Sequence, residues 1–79
     1  MPSVSVTLIG KPGCHLCDEA RAVVVAVCAE RGVPWQERSI LDEPTLAEAH
    51  WERIPVILVD DREIAFWHVG ADQLRAALA

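Results

Sequence analysis

Polar and apolar residues alternate along Ser3 to Ile9, with Val4, Val6 and Leu8 on one face and Ser5, Thr7 and Ile9 on the other. This period of two is the signature of a β-strand. Gly10, Pro12 and Gly13 break the pattern. From Leu16 onward the apolar positions Leu16, Ala20, Val23, Val24 and Val27 recur at helical spacing, which predicts a helix from about Cys14 to Arg31, stopped by Gly32 and Pro34. A second strand is expected over Trp35 to Ile40. A short helix is expected over Thr45 to Glu52, where Pro44 and Thr45 precede the Ala-rich segment LAEAHW. Val56 to Val59 is a continuous apolar run, too short for a helix and rich in β-branched residues, so it reads as a central strand covered on both faces. Asp60 and Asp61 supply turn chemistry between this run and Arg62 to Trp67, making a hairpin of the two. A last helix spans Ala71 to Leu78, with Leu74 and Leu78 one turn apart.

The resulting order, β-α-β-α-β-β-α, begins with parallel pairing and ends with antiparallel pairing. It predicts an α/β fold with a mixed sheet and helices on its faces. At 79 residues, without internal repeats or a linker, residues 1–79 are expected to form a single domain. With 52% hydrophobic residues but one Phe and no Tyr, the core must come mostly from Val, Leu, Ile and Ala.

Charge narrows the choice of partners. The formal net charge is -5, and the seven bases are scattered without a run. Nucleic-acid binding depends on neutralising phosphates with clustered bases, so no nucleic-acid partner is expected, and the same reasoning disfavours an anionic membrane surface. No apolar stretch approaches the roughly 18 residues that span a bilayer. The N-terminal MPSVSVTLIGKPGC lacks a basic segment followed by a long apolar run, and a cytoplasmic location is expected.

The three cysteines are an odd count, which argues against a closed framework of structural disulfides. Cys14 and Cys17 stand in a C-x-x-C arrangement directly after a predicted strand and turn, at the start of a predicted helix. There the unpaired backbone N–H groups and the positive end of the helix dipole favour a thiolate over a thiol at Cys14, and Lys11 and His15 add positive charge nearby. The thiolate is the nucleophile, so Cys14 is the expected attacker, with Cys17 one turn deeper to resolve the mixed disulfide. Cys28 lies eleven residues beyond Cys17 on roughly the same side of the helix. At about 1.5 Å per residue it sits on the order of 16 Å away, beyond disulfide reach, and is expected to be a core residue. Trp35, Trp51 and Trp67 share no face by periodicity and are expected in core or half-buried packing, with Trp67 also a candidate for partner docking. His15 with the two cysteines falls short of the four ligands of a structural zinc site, and His50 and His68 are isolated, so no metal site is expected within one chain.

The segment Lys11-Pro12-Gly13-Cys14-His15-Leu16-Cys17, the Ile54-Pro55 pair and the closing Gly70-Ala71-Asp72 together resemble the glutaredoxin family, more closely its small bacterial glutaredoxin-like branch. The resemblance spans essentially the whole chain. It implies a thioredoxin-like (glutaredoxin-like) fold, a four-stranded mixed sheet flanked by three helices, with a cis proline at Pro55 facing the dithiol. It also implies a set of contacts to substrate or glutathione: Lys11, His15, the backbone of Ile54, Pro55, Gly70 and Asp72. Two departures from the family pattern matter. Val69 replaces the first glycine of the turn before the last helix, and His15-Leu16 replaces the usual Pro-Tyr between the cysteines. These weaken glutathione specificity and leave dithiol chemistry intact; His15 beside a thiolate is expected to shift the redox potential.

The expected function is therefore that of an enzyme, a thiol-disulfide oxidoreductase reducing protein or glutathione-mixed disulfides. Its partners would be a disulfide-containing protein or glutathione, and a reductase for recycling. No tightly bound cofactor is expected, glutathione is a possible co-substrate, and the chain is expected to be a monomer. The competing reading is a thioredoxin-fold binding module whose dithiol ligates a metal or an iron-sulfur cluster, or has no redox activity.

Overall fold

The computed structural model describes residues 4–79. Its elements run β1 (Val6–Gly10), α1 (His15–Arg31), β2 (Trp35–Ser39), α2 (Pro44–His50), β3 (Val56–Val59), β4 (Arg62–Phe66) and α3 (Ala71–Leu78). They form the mixed sheet that the element order predicts, with the four strands and three helices that the glutaredoxin-like resemblance implies. The four strands lie in the order β2-β1-β3-β4, with β1 parallel to β2 and antiparallel to β3, and β3 antiparallel to β4.

Two strands are interior, so β3 shares the central position with β1. All five β1 residues are buried, Thr7 among them, although its alternation suggests one solvated face. Its Oγ1 accepts a hydrogen bond from Gln36 Nε2 at 3.4 Å, which satisfies a polar group that burial would otherwise leave unpaired. On one face, Val6 and Leu8 join Ile57 and Val59 of β3, Ala20, Val24 and Val27 of α1, and Leu74 of α3 in one core cluster. Ile9 and Val56 pair with each other and point to the opposite face, both at 0% exposure.

α1 is stopped by Gly32, whose φ of 66° is the left-handed conformation of a helix C-cap, with its N–H on the Cys28 carbonyl. Cys28 is 2% exposed and packs in the core, as its place on the helix predicts. The β3–β4 turn takes Asp60 (φ 50°) and Asp61 (φ 67°) through the left-handed region, the geometry that matches the strand twist in a tight hairpin. In the β3–β4 pairing the register slips between Ile57 and Leu58, which face Ala65 and Glu63 and leave Ile64 of β4 as the extra residue of a bulge. Arg75 ties α3 to α1 through Glu30 (Nε to Oε2, 2.8 Å), and Arg21 ties α1 to β2 through Glu37 (Nη2 to Oε2, 2.6 Å). α2 packs sparsely, with none of its residues fully buried. Among the described residues no helix is long and apolar enough to cross a membrane.

Candidate active site

Strand register gathers the chemistry-bearing residues at one end of the sheet. Ile9 pairs with Val56, and Val56 with Phe66. Gly10, Pro55 and Trp67 are the next residues at that end of β1, β3 and β4, where α1 and α3 also begin.

From Gly10 the chain passes through exposed Lys11, Pro12 and Gly13 into α1. Gly13 takes a φ of 74°, a left-handed conformation open to glycine at little cost, and this turn delivers Cys14 to the helix start. Cys14 is the N-cap, extended at φ -97° and ψ 115°, and its Sγ accepts the backbone N–H of Cys17 at 3.2 Å. The sulfur thus takes the place of a capping oxygen and satisfies one of the orphan N–H groups of the first turn. An anionic sulfur accepts such a bond more strongly than a neutral one. Cys14 is partly exposed, Cys17 fully buried, and both are free thiols. Burial first, then the hydrogen bond with Cys14, push the Cys17 thiol up to about 11, against a smaller opposing effect of the Lys11 backbone. One sulfur is presented to solvent; its neighbour is held protonated behind it.

The other expected site residues fall into two groups. His15 is the first residue of α1, with an 87% exposed side chain whose Nε2 stands 3.9 Å from Glu19 Oε1. The Ile54–Pro55 peptide is cis, Ile54 is half-buried and Pro55 is buried. These residues, with Lys11, share the dithiol end of the sheet. Gly70 caps the N-terminus of α3, and Asp72 lies in the first turn with a 99% exposed side chain. The Asp72 carboxylate accepts a hydrogen bond from Arg75 Nη1 at 2.8 Å, along its own helix.

Trp67 is the residue whose position the sequence conceals. It directly follows β4 at a φ of 64°, and it fastens the segment before β3 twice. Its N–H donates to the Pro55 carbonyl at 2.8 Å, and its indole Nε1–H to the Glu52 carbonyl at 3.0 Å. Trp51, 62% exposed, stands further into solvent than the half-buried packing expected of it, whereas Trp67 is 50% exposed and Trp35 packs against the core. Phe66 meets Trp67 edge-on with ring centroids 5.1 Å apart, and the Arg53 guanidinium lies 4.7 Å from the centre of the Phe66 ring. Gly10 also escapes notice in the sequence, where it only ends a strand pattern. Among the described residues no group of three or more His, Cys, Asp or Glu side chains is arranged to hold a metal ion.

Comparison with known proteins agrees with this arrangement. The family model described as Glutaredoxin-like domain (DUF836) matches residues 5–79. The chain belongs to that glutaredoxin-like family. It is 32% identical to a structural-genomics target protein from X. campestris of known crystal structure, over 92% of this chain and 93% of that one, with a TM-score of 0.76. A protein of Nitrosomonas europaea solved by NMR superposes with a TM-score of 0.83 over 100% of this chain and 95% of its own, at 22% identity, a likeness of fold. An uncharacterised protein of Mycobacterium tuberculosis is 27% identical over 84 residues, covering 100% of this chain and 87% of its own. The glutaredoxin-like fold and its cysteine pair are consistent with thiol-disulfide exchange.

Proposed function

We propose that this glutaredoxin-like chain is a thiol-disulfide oxidoreductase in which Cys14 attacks and Cys17 resolves. The observation that carries the reading is the pairing of a partly exposed Cys14 Sγ, seated on the N–H of Cys17 at 3.2 Å, with a fully buried second thiol directly behind it. The Cys14 thiolate attacks one sulfur of a substrate disulfide, forming a mixed disulfide and expelling the other substrate sulfur as a thiolate. Cys17 then loses its proton and attacks Cys14 Sγ. The Cys14–Cys17 bond forms, the mixed disulfide breaks, and the second substrate thiol leaves, taking up a proton. The substrate gains two electrons and the dithiol loses them, to be restored by an external reductant.

The substrate class is a protein disulfide or a glutathione-mixed disulfide, held by Lys11, His15, Ile54, Pro55, Gly70 and Asp72. Glutathione serves as co-substrate rather than as a tightly bound cofactor, and a separate reductase completes the cycle. The chain acts as a single domain and a monomer in the cytoplasm, without nucleic-acid or membrane partners. The Asp72 carboxylate, 99% exposed and bonded to Arg75 through Oδ1 alone, keeps acceptor capacity for a glutathione donor at α3.

Turnover of a glutathione-mixed disulfide by the two serine variants tests this. Cys14→Ser is expected to abolish exchange, and Cys17→Ser to accumulate the mixed disulfide on Cys14, visible by mass spectrometry. Full turnover by Cys14→Ser would overturn the assignment. Absence of a Cys14–Cys17 disulfide at any redox poise would turn the reading towards a binding module.

A further inference from the structure

From the contact between Gly10 and Cys17 we infer that Gly10 is a positioning residue for the resolving step, its missing side chain being the space in which the Cys17 sulfur sits. The inference rests on the thiol-disulfide reading above. A methyl group at Gly10 would stand 2.8 Å from Cys17 Sγ and 3.2 Å from Cys17 Cβ, and among the described residues would meet no other atom within 4 Å beyond its own chain neighbours. Ordinary carbon contacts begin at about 3.5 Å, so the sulfur would have to retreat by roughly 0.7 Å, the difference between 3.5 and 2.8. Because the clash involves the Cys17 side chain, a substitution at Gly10 acts on Cys17 directly and makes no contact of its own with Cys14.

Gly10 cannot yield in its place. It is the last residue of β1 and pairs with Ser39 in the sheet, and its carbonyl accepts the N–H of Ile40 at 2.9 Å. Cys17 is equally confined, fully buried and at the third position of α1. With the backbone fixed on both sides, the adjustment falls on the Cys17 side chain, which must twist away from its staggered well or move to another. Either change moves the sulfur relative to Cys14 Sγ, which is itself held on the Cys17 backbone N–H at 3.2 Å. Attack along the axis of the breaking S–S bond depends on that relative position, and a misplacement of about 1 Å in a reacting atom costs up to roughly a hundredfold in rate. The glycine is not held there by its own backbone, since its φ lies outside the left-handed range that Gly13 and Gly32 adopt.

The test compares wild type, Gly10→Ala, Cys17→Ala and the double variant. Two quantities are read: the alkylation rate of Cys14, and the lifetime of a glutathione adduct preloaded on Cys14. The Gly10→Ala variant is expected to change the alkylation rate of Cys14 much less than the adduct lifetime, which should lengthen by roughly tenfold or more. Thermal unfolding supplies a measure independent of activity. Gly10→Ala should lower the midpoint in the Cys17 background and lower it much less, or not at all, in the Cys17→Ala background, where the clashing sulfur is gone. A wild-type adduct lifetime in Gly10→Ala, or an equal loss of stability in both backgrounds, overturns the inference. If Gly10→Ala fails to fold, recovery of folding in the double variant supports the contact, and failure of both variants overturns it. Should wild type itself never resolve the adduct, the oxidoreductase reading fails first and takes the inference with it.

Discussion

The main-chain N–H of Trp67 reaches the Pro55 carbonyl at 2.8 Å from a left-handed backbone, φ 64°, that a bulky residue adopts only at a cost. The return is local: the same residue also bonds Glu52 through its indole, so the segment leading into β3 is pinned from two sides. A conformation of this kind costs a non-glycine residue about 1–2 kcal/mol, which the two hydrogen bonds and the ring contact with Phe66 offset.

This relationship reverses a usual ranking. In regular structure glycine is less stable than alanine, but at position 67 Trp67→Gly should be more stable than Trp67→Ala by about 1 kcal/mol, because only the latter retains the strain. Urea unfolding of the two variants decides it. Trp67→Phe, which loses the Nε1–H bond to Glu52 alone, should cost about 0.5–1.5 kcal/mol.

Stability should decline as pH rises from about 9 to about 11. The Cys17 thiol is held up at about 11 by burial and by Cys14, whereas the same thiol in the unfolded chain ionises near 9.0. Between the two values the unfolded state releases a proton that the folded state retains, so alkali favours unfolding; below 9.0 the full contribution is present. Burial raises Cys28 as well, so Cys17→Ala should flatten the slope without abolishing it. Melting temperatures across this range, wild type against variant, provide the measurement. In the catalytic direction, resolution of a mixed disulfide should quicken with rising pH, because burial, the largest of the causes, still holds the Cys17 thiol up when Cys14 is tied in that disulfide.

Leu74 joins α3 to the core at 0% exposure. Leu74→Ala should cost about 2–5 kcal/mol. For 79 residues at about 0.05–0.15 kcal/mol each, total stability is about 4–12 kcal/mol, so the variant loses a large share of it. Chemical denaturation should show a midpoint far below that of wild type; an unchanged midpoint would contradict the packing described.

Two glycines should part company when changed to alanine. At Gly32 (φ 66°) and at Gly70 alike, an added methyl meets nothing within 4 Å, so only backbone preference separates them. Gly32→Ala should cost about 1–2 kcal/mol, the price of a left-handed alanine. Gly70, at φ -90° and ψ 149°, lies in a conformation any residue adopts; the weaker capping by alanine and the stiffer unfolded chain nearly cancel, leaving stability within about 0.5 kcal/mol of wild type. If glutathione approaches the backbone there, Gly70→Ala should raise its KM while the melting temperature stays put.

Where local chemistry and tertiary packing agree, the chain can be read directly. α1 carries both of its stops and its N-cap in sequence, and α3 and β3 run over the predicted residues. β1 differs because burial of a strand depends on its neighbours: Thr7 is polar, yet β2 and β3 flank it and Gln36 satisfies its hydroxyl. The cysteine pair and its helix-start position are visible from spacing alone. Trp67 and Gly10 are not, because their roles arise from contacts with Pro55 and Cys17, 12 and 7 residues away, that only strand register and helix docking create.

The sparse packing of α2 has a consequence in time. A helix of 7 residues is too short to be stable alone, and this one buries no side chain that would hold it to the sheet. Its amides should therefore exchange with deuterium through local opening, at a free energy well below that of global unfolding, while β1, β3 and α1 exchange only when the whole domain opens. Trp67, bonded to Glu52 and Pro55, marks the boundary where that opening should end, so the chain leading into β3 is expected to be soft up to Trp51 and firm beyond it.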